Sequence, residues 1–185
     1  MKNILKLLFG ALFLTGAFFS CKKAENKIFY EGGKAPVLTA SSTSAMVLII
    51  ANKNNFALKF NWTNPDYQFT TGISSQDVTY TLQFDTTGAN FTSPKKYEKT
   101  ISEDLEVSFT VGELNTAILG MDLVENMAHN MEIRIKSSLA NGSVPLYSNI
   151  IKIVITPYLD VVYPVPANLY ITGAATPGNW MGGGD

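Results

Sequence analysis

Apolar and polar residues alternate strictly over several stretches of the chain. Phe56, Leu58, Phe60 and Trp62 alternate with Ala57, Lys59 and Asn61, the period-two mark of a strand with one buried face. The same pattern runs through Val78, Tyr80, Leu82 and Phe84, through Leu105, Val107, Phe109 and Val111, and through Met131, Ile133 and Ile135. Ile150 to Ile155 predicts a last strand, ended by Pro157. Pro36 to Thr39 opens an edge strand, where proline is tolerated, and Ala45 to Ala51 is a continuous apolar run of strand length. Tyr97 to Ile101 predicts a further edge strand, guarded by lysines. Turn signals lie between these runs at Asn52–Asn55, Asp85–Pro94 and Asn141-Gly142, and Thr63 to Asp77 reads as a loop. One segment breaks the pattern: Leu114, Ala117, Ile118, Met121 and Val124 share one face of a helix, which Gly120 limits to a turn or two. Short alternating strands with one helical crossover predict an all-β antiparallel sandwich over residues 36–158, with Trp62 in its core.

The flanks are different. Met1 to Lys6 carries two lysines, and Leu7 to Phe19 has no charge. Ser20, Cys21 and Lys22-Lys23 follow. A basic head, a short apolar stretch and a small residue before the break predict a secretory signal peptide over residues 1–20; a spanning helix needs about 20 apolar residues. The cysteine at the break makes this similar to a bacterial lipoprotein signal, with Phe18 where such signals usually carry an aliphatic residue. The resemblance implies that Cys21 is acylated and becomes the N-terminus. Residues 21–35, mixing charge with Gly-Gly, read as a lipid-anchored tether, and residues 159–168 as a proline-rich linker. Residues 169–185 read as the first strand of a further module that breaks off.

Cleavage before Cys21 would remove Lys2 and Lys6, leaving 12 basic and 15 acidic side chains, a mild −3. That argues against a nucleic-acid partner, which selects a basic face. The chain has 1 histidine and 1 cysteine. With Cys21 acylated, the residues for a zinc site of His and Cys ligands are missing. No nucleophile elbow accompanies His129, which reads as a solvated loop histidine. Glycosidases set two carboxylates face to face; Asp66, Asp77, Asp85, Glu103 and Asp104 sit on loops with no motif joining them. No cofactor, metal or catalytic residue is expected. Exposed aromatics stack on pyranose rings, and Tyr67, Phe69 and Trp180 are the candidates, weighed against ordinary loop packing.

The lipoprotein-like start, the Trp62 strand (FALKFNWTNPDY), Val78–Phe84 (VTYTLQF), Gly112 to Val124 and Tyr147 to Pro157 (YSNIIKIVITP) together resemble the N-terminal domain of SusE-type outer-membrane lipoproteins of Bacteroidetes. The tail Leu169 to Trp180 (LYITGAATPGNW) is similar to the first strand of the carbohydrate-binding modules that follow it. The resemblance implies an immunoglobulin or fibronectin type III-like sandwich. It implies surface binding of starch or another polysaccharide without hydrolysis, beside an outer-membrane transporter and a glycan-binding lipoprotein. Sugar is bound by the C-terminal modules in such proteins, so the resemblance assigns this chain mainly the anchor and spacer. The alternative is a structural or interaction domain of a membrane-anchored complex, with no sugar contact of its own.

Overall fold

The computed structural model describes residues 27–73 and 77–160. In chain order these form β1 (Tyr30–Gly32), β2 (Leu38–Ala40), β3 (Met46–Val47), β4 (Phe56–Trp62), β5 (Gln68–Phe69), β6 (Gly72–Ile73), β7 (Val78–Thr86), β8 (Tyr97–Ser102), β9 (Glu106–Thr110), helix α1 (Val111–Leu119), β10 (His129–Leu139), β11 (Leu146–Tyr147) and β12 (Ile151–Thr156). They fall into two compact units, one holding residues 34–65 and 77–160, the other residues 27–33 and 66–73.

The first unit is a β-sandwich. One sheet has the order β2-β4-β9 and the other β3-β12-β10-β7-β8, with β11 alongside β10. All pairs are antiparallel except β12 with β3. The chain changes sheet from β2 to β3 and back at β4, then between β4 and β7, between β8 and β9, and, through α1, between β9 and β10. This is the partition of an immunoglobulin-type Greek key.

The alternation read from the sequence fills the space between the sheets. Leu58, Phe60 and Trp62 of β4 are buried, as are Tyr80, Leu82 and Phe84 of β7, Met131, Ile133 and Ile135 of β10, and Ile151, Ile153 and Ile155 of β12. Phe60 meets Phe84 edge-on across the core at 5.7 Å, and Trp62 lies 5.6 Å from Tyr80.

Two expectations are corrected. Phe56 does not share the face of Trp62: the register with β9 shifts between Phe56 and Leu58, and Phe56 is 60% exposed. The irregularity breaks period-two alternation at that point, as a bulge does. Nor is Ala45–Ala51 a buried strand. Only Met46 and Val47 pair, at the sheet edge, and a 3-10 turn follows at Ile50–Asn52. Of that run Leu48 is buried, while Val47, Ile49 and Ile50 are exposed.

Helix α1 starts one residue after β9 because Thr110 and Glu113 form a capping box. The Thr110 hydroxyl accepts from the Glu113 backbone N–H at 3.2 Å, and the Glu113 carboxylate accepts from the Thr110 N–H at 2.8 Å. Gly112 follows the cap, where a Cβ would meet the Lys53 carbonyl oxygen at 3.1 Å. The backbone bond from Thr110, then its hydroxyl, holds the Glu113 carboxyl below the ordinary value. A depressed carboxyl contributes stability above the unfolded pKa of about 4.3, and that contribution fades as pH falls through the folded value. Glu113→Gln is therefore expected to lower the urea midpoint at pH 7 and to differ little from wild type near pH 3. A deficit that persists unchanged at pH 3 would contradict the cap's charge dependence.

The second unit is a small sheet of order β1-β5-β6. It takes its strands from the segment read as tether and from the Thr63–Asp77 segment read as loop. Phe29 donates from its backbone N–H to the Thr70 hydroxyl at 3.2 Å and accepts from the Thr70 N–H at 3.0 Å. Tyr30 lies 5.8 Å from Phe69 and 6.0 Å from Tyr67, ring to ring.

Candidate functional site

Cys21 and Trp180, two of the residues singled out by sequence, lie outside the described residues. Tyr67 and Phe69 belong to the small sheet unit. Tyr67 is 2% exposed, which leaves no ring face for a sugar in this conformation. Phe69 is half-buried and packs edge-on against Tyr30.

One concavity of the sandwich unit is a groove of about 560 Å³ near the start of α1. It opens along β8 and β9, the outermost strands of the two sheets on this side. Tyr97, Phe109 and Tyr158 give it aromatic walls, and Lys53, Lys99 and Asp160 bring charge to it. Several local features hold it in shape. Lys99 sets its ammonium 5.0 Å above the ring centre of Phe109. Asn115, fully buried, accepts from the Tyr158 N–H at 2.8 Å and donates to the Tyr158 carbonyl at 3.1 Å. That pair satisfies both main-chain groups where the chain leaves β12. Burial, with the Glu113 charge behind it, pushes the Tyr97 phenol up. Burial and then Asp160 do the same to Tyr158. Both phenols therefore remain neutral hydrogen-bonding groups at physiological pH.

Chemically this groove can hold a polar molecule with an apolar face. Its carboxylate Glu113 is a poor general acid, because the cap lowers its pKa, whereas an acid for glycoside cleavage needs a raised one.

A second constellation lies on the outer face of the six-stranded sheet. The Arg134 guanidinium sits 3.9 Å from the ring centre of Phe91 and 4.2 Å from that of Tyr147. Its Nε donates to Gln83 at 2.7 Å, and Gln83 donates to Glu98 at 2.6 Å. Burial lowers the Arg134 pKa, opposed by Tyr147, Glu98 and Asp85. Asn90 and Phe91 both adopt left-handed backbone, φ 53° and 58°, an uncommon state for a phenylalanine. It places Phe91, 6% exposed, against Arg134. Sequence reading treated Phe91 as part of a turn. The signal that pairs it with Arg134 is the strand register, invisible in a single sequence.

One of the acidic candidates has local work. Asp85 is fully buried and accepts from the backbone N–H groups of Thr86 and Ser93 at 2.8 and 3.2 Å. His129 is the first residue of β10 rather than a free loop residue, and its Nε2 meets the Val124 carbonyl at 2.7 Å, so that nitrogen carries the proton. Among the described residues, no cluster of three or more His, Cys, Asp or Glu is placed to hold a metal ion. No helix among them is long and apolar enough to cross a membrane.

Comparison with known families shows that the sequence model of the SusE outer membrane protein family covers residues 22–136, more than half of the chain. No curated protein matches the chain.

Proposed function

The chain belongs to the SusE outer membrane protein family, and from that premise we propose that it is a non-catalytic lipoprotein of a Sus-like glycan-uptake system, held in the outer membrane by acyl chains on Cys21. The family match carries this reading. It begins at Lys22, the residue after Cys21, and runs through both sheets into β10. The apolar run ending at Cys21 supplies the second support.

In this reading the sandwich is the spacer, and it faces the cell exterior. Starch or a related polysaccharide is bound chiefly by the module whose first strand residues 169–185 resemble. The partners are an outer-membrane transporter and a glycan-binding lipoprotein. The burial of Tyr67 favours a described region that contributes structure rather than sugar contact. Residues 27–160, expressed alone, are expected to migrate equally in native gels with and without starch. Retardation in the starch gel that Tyr67→Ala abolishes would instead assign polysaccharide binding to this region.

A further inference from the structure

The small sheet unit exposes an unusual share of large apolar side chains. Ile28 is 61% exposed, Phe29 60% and Ile73 71%, all within a unit whose described residues are 27–33 and 66–73. The strand register places two of them together. Tyr30 pairs with Phe69, and Phe69 with Gly72, while Gln68 pairs with Ile73. Phe29 accepts from the Thr70 backbone N–H and donates its own N–H to the Thr70 hydroxyl. Side chains alternate between the faces of a sheet, so Phe29, Gln68, Thr70 and Ile73 fall on one face. Tyr30 and Phe69, which touch each other, fall on the opposite face. An aromatic and an aliphatic side chain thus share a largely solvated face among short polar neighbours.

The chain itself says what lies near that face. Eight residue steps separate Cys21 from Phe29. Whatever their conformation, they hold the two Cα atoms within about 29 Å of each other. Acyl chains on Cys21 would therefore keep the sheet beside the bilayer surface at every moment. Lys22, Lys23 and Lys27 precede it, against Glu25 alone among residues 22–28. Basic residues shortly before an apolar face in sequence suit the headgroup region of an anionic membrane.

We propose that Phe29 and Ile73, with Ile28, seat this small sheet in the lipid interface next to the anchor, so that the protein touches the membrane through protein side chains as well as through Cys21. The proposal rests on the lipoprotein reading of Cys21. It makes the segment after the cysteine a docked foot in place of a free tether. The occupant is a lipid surface; a second copy of the chain or a protein partner are the competing outcomes.

The test uses the full acylated chain, purified from membranes and reconstituted in phosphatidylethanolamine–phosphatidylglycerol vesicles. Ile73→Cys provides a thiol for a fluorophore, and Val124→Cys, an exposed position of the other unit (55% exposed), provides the reference. Lipids carrying a nitroxide at the upper acyl chain quench probes that lie about 5–10 Å into the interface. Quenching several-fold stronger at 73 than at 124 is expected. Equal, weak quenching at both positions overturns the proposal. Energy transfer between labelled copies at 73 without lipid quenching assigns the face to a second copy. Quenching restored only by added outer-membrane protein assigns it to a partner.

A second arm separates this proposal from the anchor on which it rests. Without acylation, Cys21→Ser protein is expected to bind the same vesicles weakly. The added substitutions Ile28→Ser, Phe29→Ser and Ile73→Ser are expected to lower that partitioning about tenfold or more, the order set by burying three such side chains. Unchanged partitioning with an unaltered circular dichroism spectrum overturns the proposal, even where fatty-acid labelling of wild-type Cys21 succeeds. Absence of labelling with the tenfold effect intact would reject the anchor and keep the foot.

Discussion

Phe84→Ala is expected to lower the unfolding free energy by about 3–5 kcal/mol, the usual cost of emptying a buried phenylalanine site. Phe84 has no exposed surface. Its ring is met by Phe60 from the facing sheet at 5.7 Å, by Phe109 at 5.9 Å and by Tyr97 from the neighbouring strand at 5.5 Å. Truncation removes one ring partner from each of the three, which keep only the Phe60–Phe109 and Tyr97–Phe109 contacts among themselves. Domains of this size are stable by about 5–15 kcal/mol, so the variant would be marginal. Phe56→Ala is the informative control. Its side chain is 60% exposed beyond the register shift of β4, and such surface changes usually stay within about 0.5 kcal/mol. Urea midpoints of the two variants check both statements. Equal losses would mean that Phe56 faces the core and that the shift is misplaced.

The second large effect concerns location. Cys21→Ala is expected to deplete the outer-membrane fraction about tenfold or more, leaving the protein soluble or retained as an unprocessed precursor. The size follows from the anchor: each buried CH₂ contributes about 0.8 kcal/mol, one acyl chain binds only reversibly, and two or more anchor stably. Apolar contacts by Ile28, Phe29 and Ile73 would be too few to replace those chains. Fractionation followed by immunoblotting checks the result. Undiminished recovery of the alanine variant in outer membranes would show that something else holds the protein there.

Much of the sandwich was legible because its strands obey period two. In β7 and β10 the residues read as inward-facing are buried, Val78 excepted, although Gln83, Asp85 and Glu132 of the opposite face are buried too. The helix was legible from Leu114, Ala117 and Ile118, all buried on one face. Its start was not, because the capping box at Thr110 and Glu113 sits inside a stretch that alternates like a strand up to Val111. Phe56 was misplaced because one irregularity inverts the face of every residue beyond it. Val47, Ile49 and Ile50, exposed on either side of buried Leu48, show that an apolar run of strand length does not guarantee burial when little of it pairs, and that at a sheet edge.

The candidate sites were less legible, for a physical reason. Tyr67 and Phe69 were read as loop aromatics because their strand partner is Tyr30, 39 residues earlier than Phe69. Nothing local to either segment signals so short a sheet. The stack of Phe91, Arg134 and Tyr147 likewise depends on a left-handed turn and on strand register, neither of which has a sequence signature at these residues. Cys21 is a different case: it lies outside the described residues, and its proposed acylation rests on sequence alone, in the apolar run before it.

Mass spectrometry of the N-terminal peptide from outer-membrane protein is the most direct measurement. A peptide that begins at Cys21 and carries a diacylglyceryl thioether is expected. A peptide that still contains residues preceding Cys21, or an unmodified cysteine thiol, would contradict the lipid-anchored account.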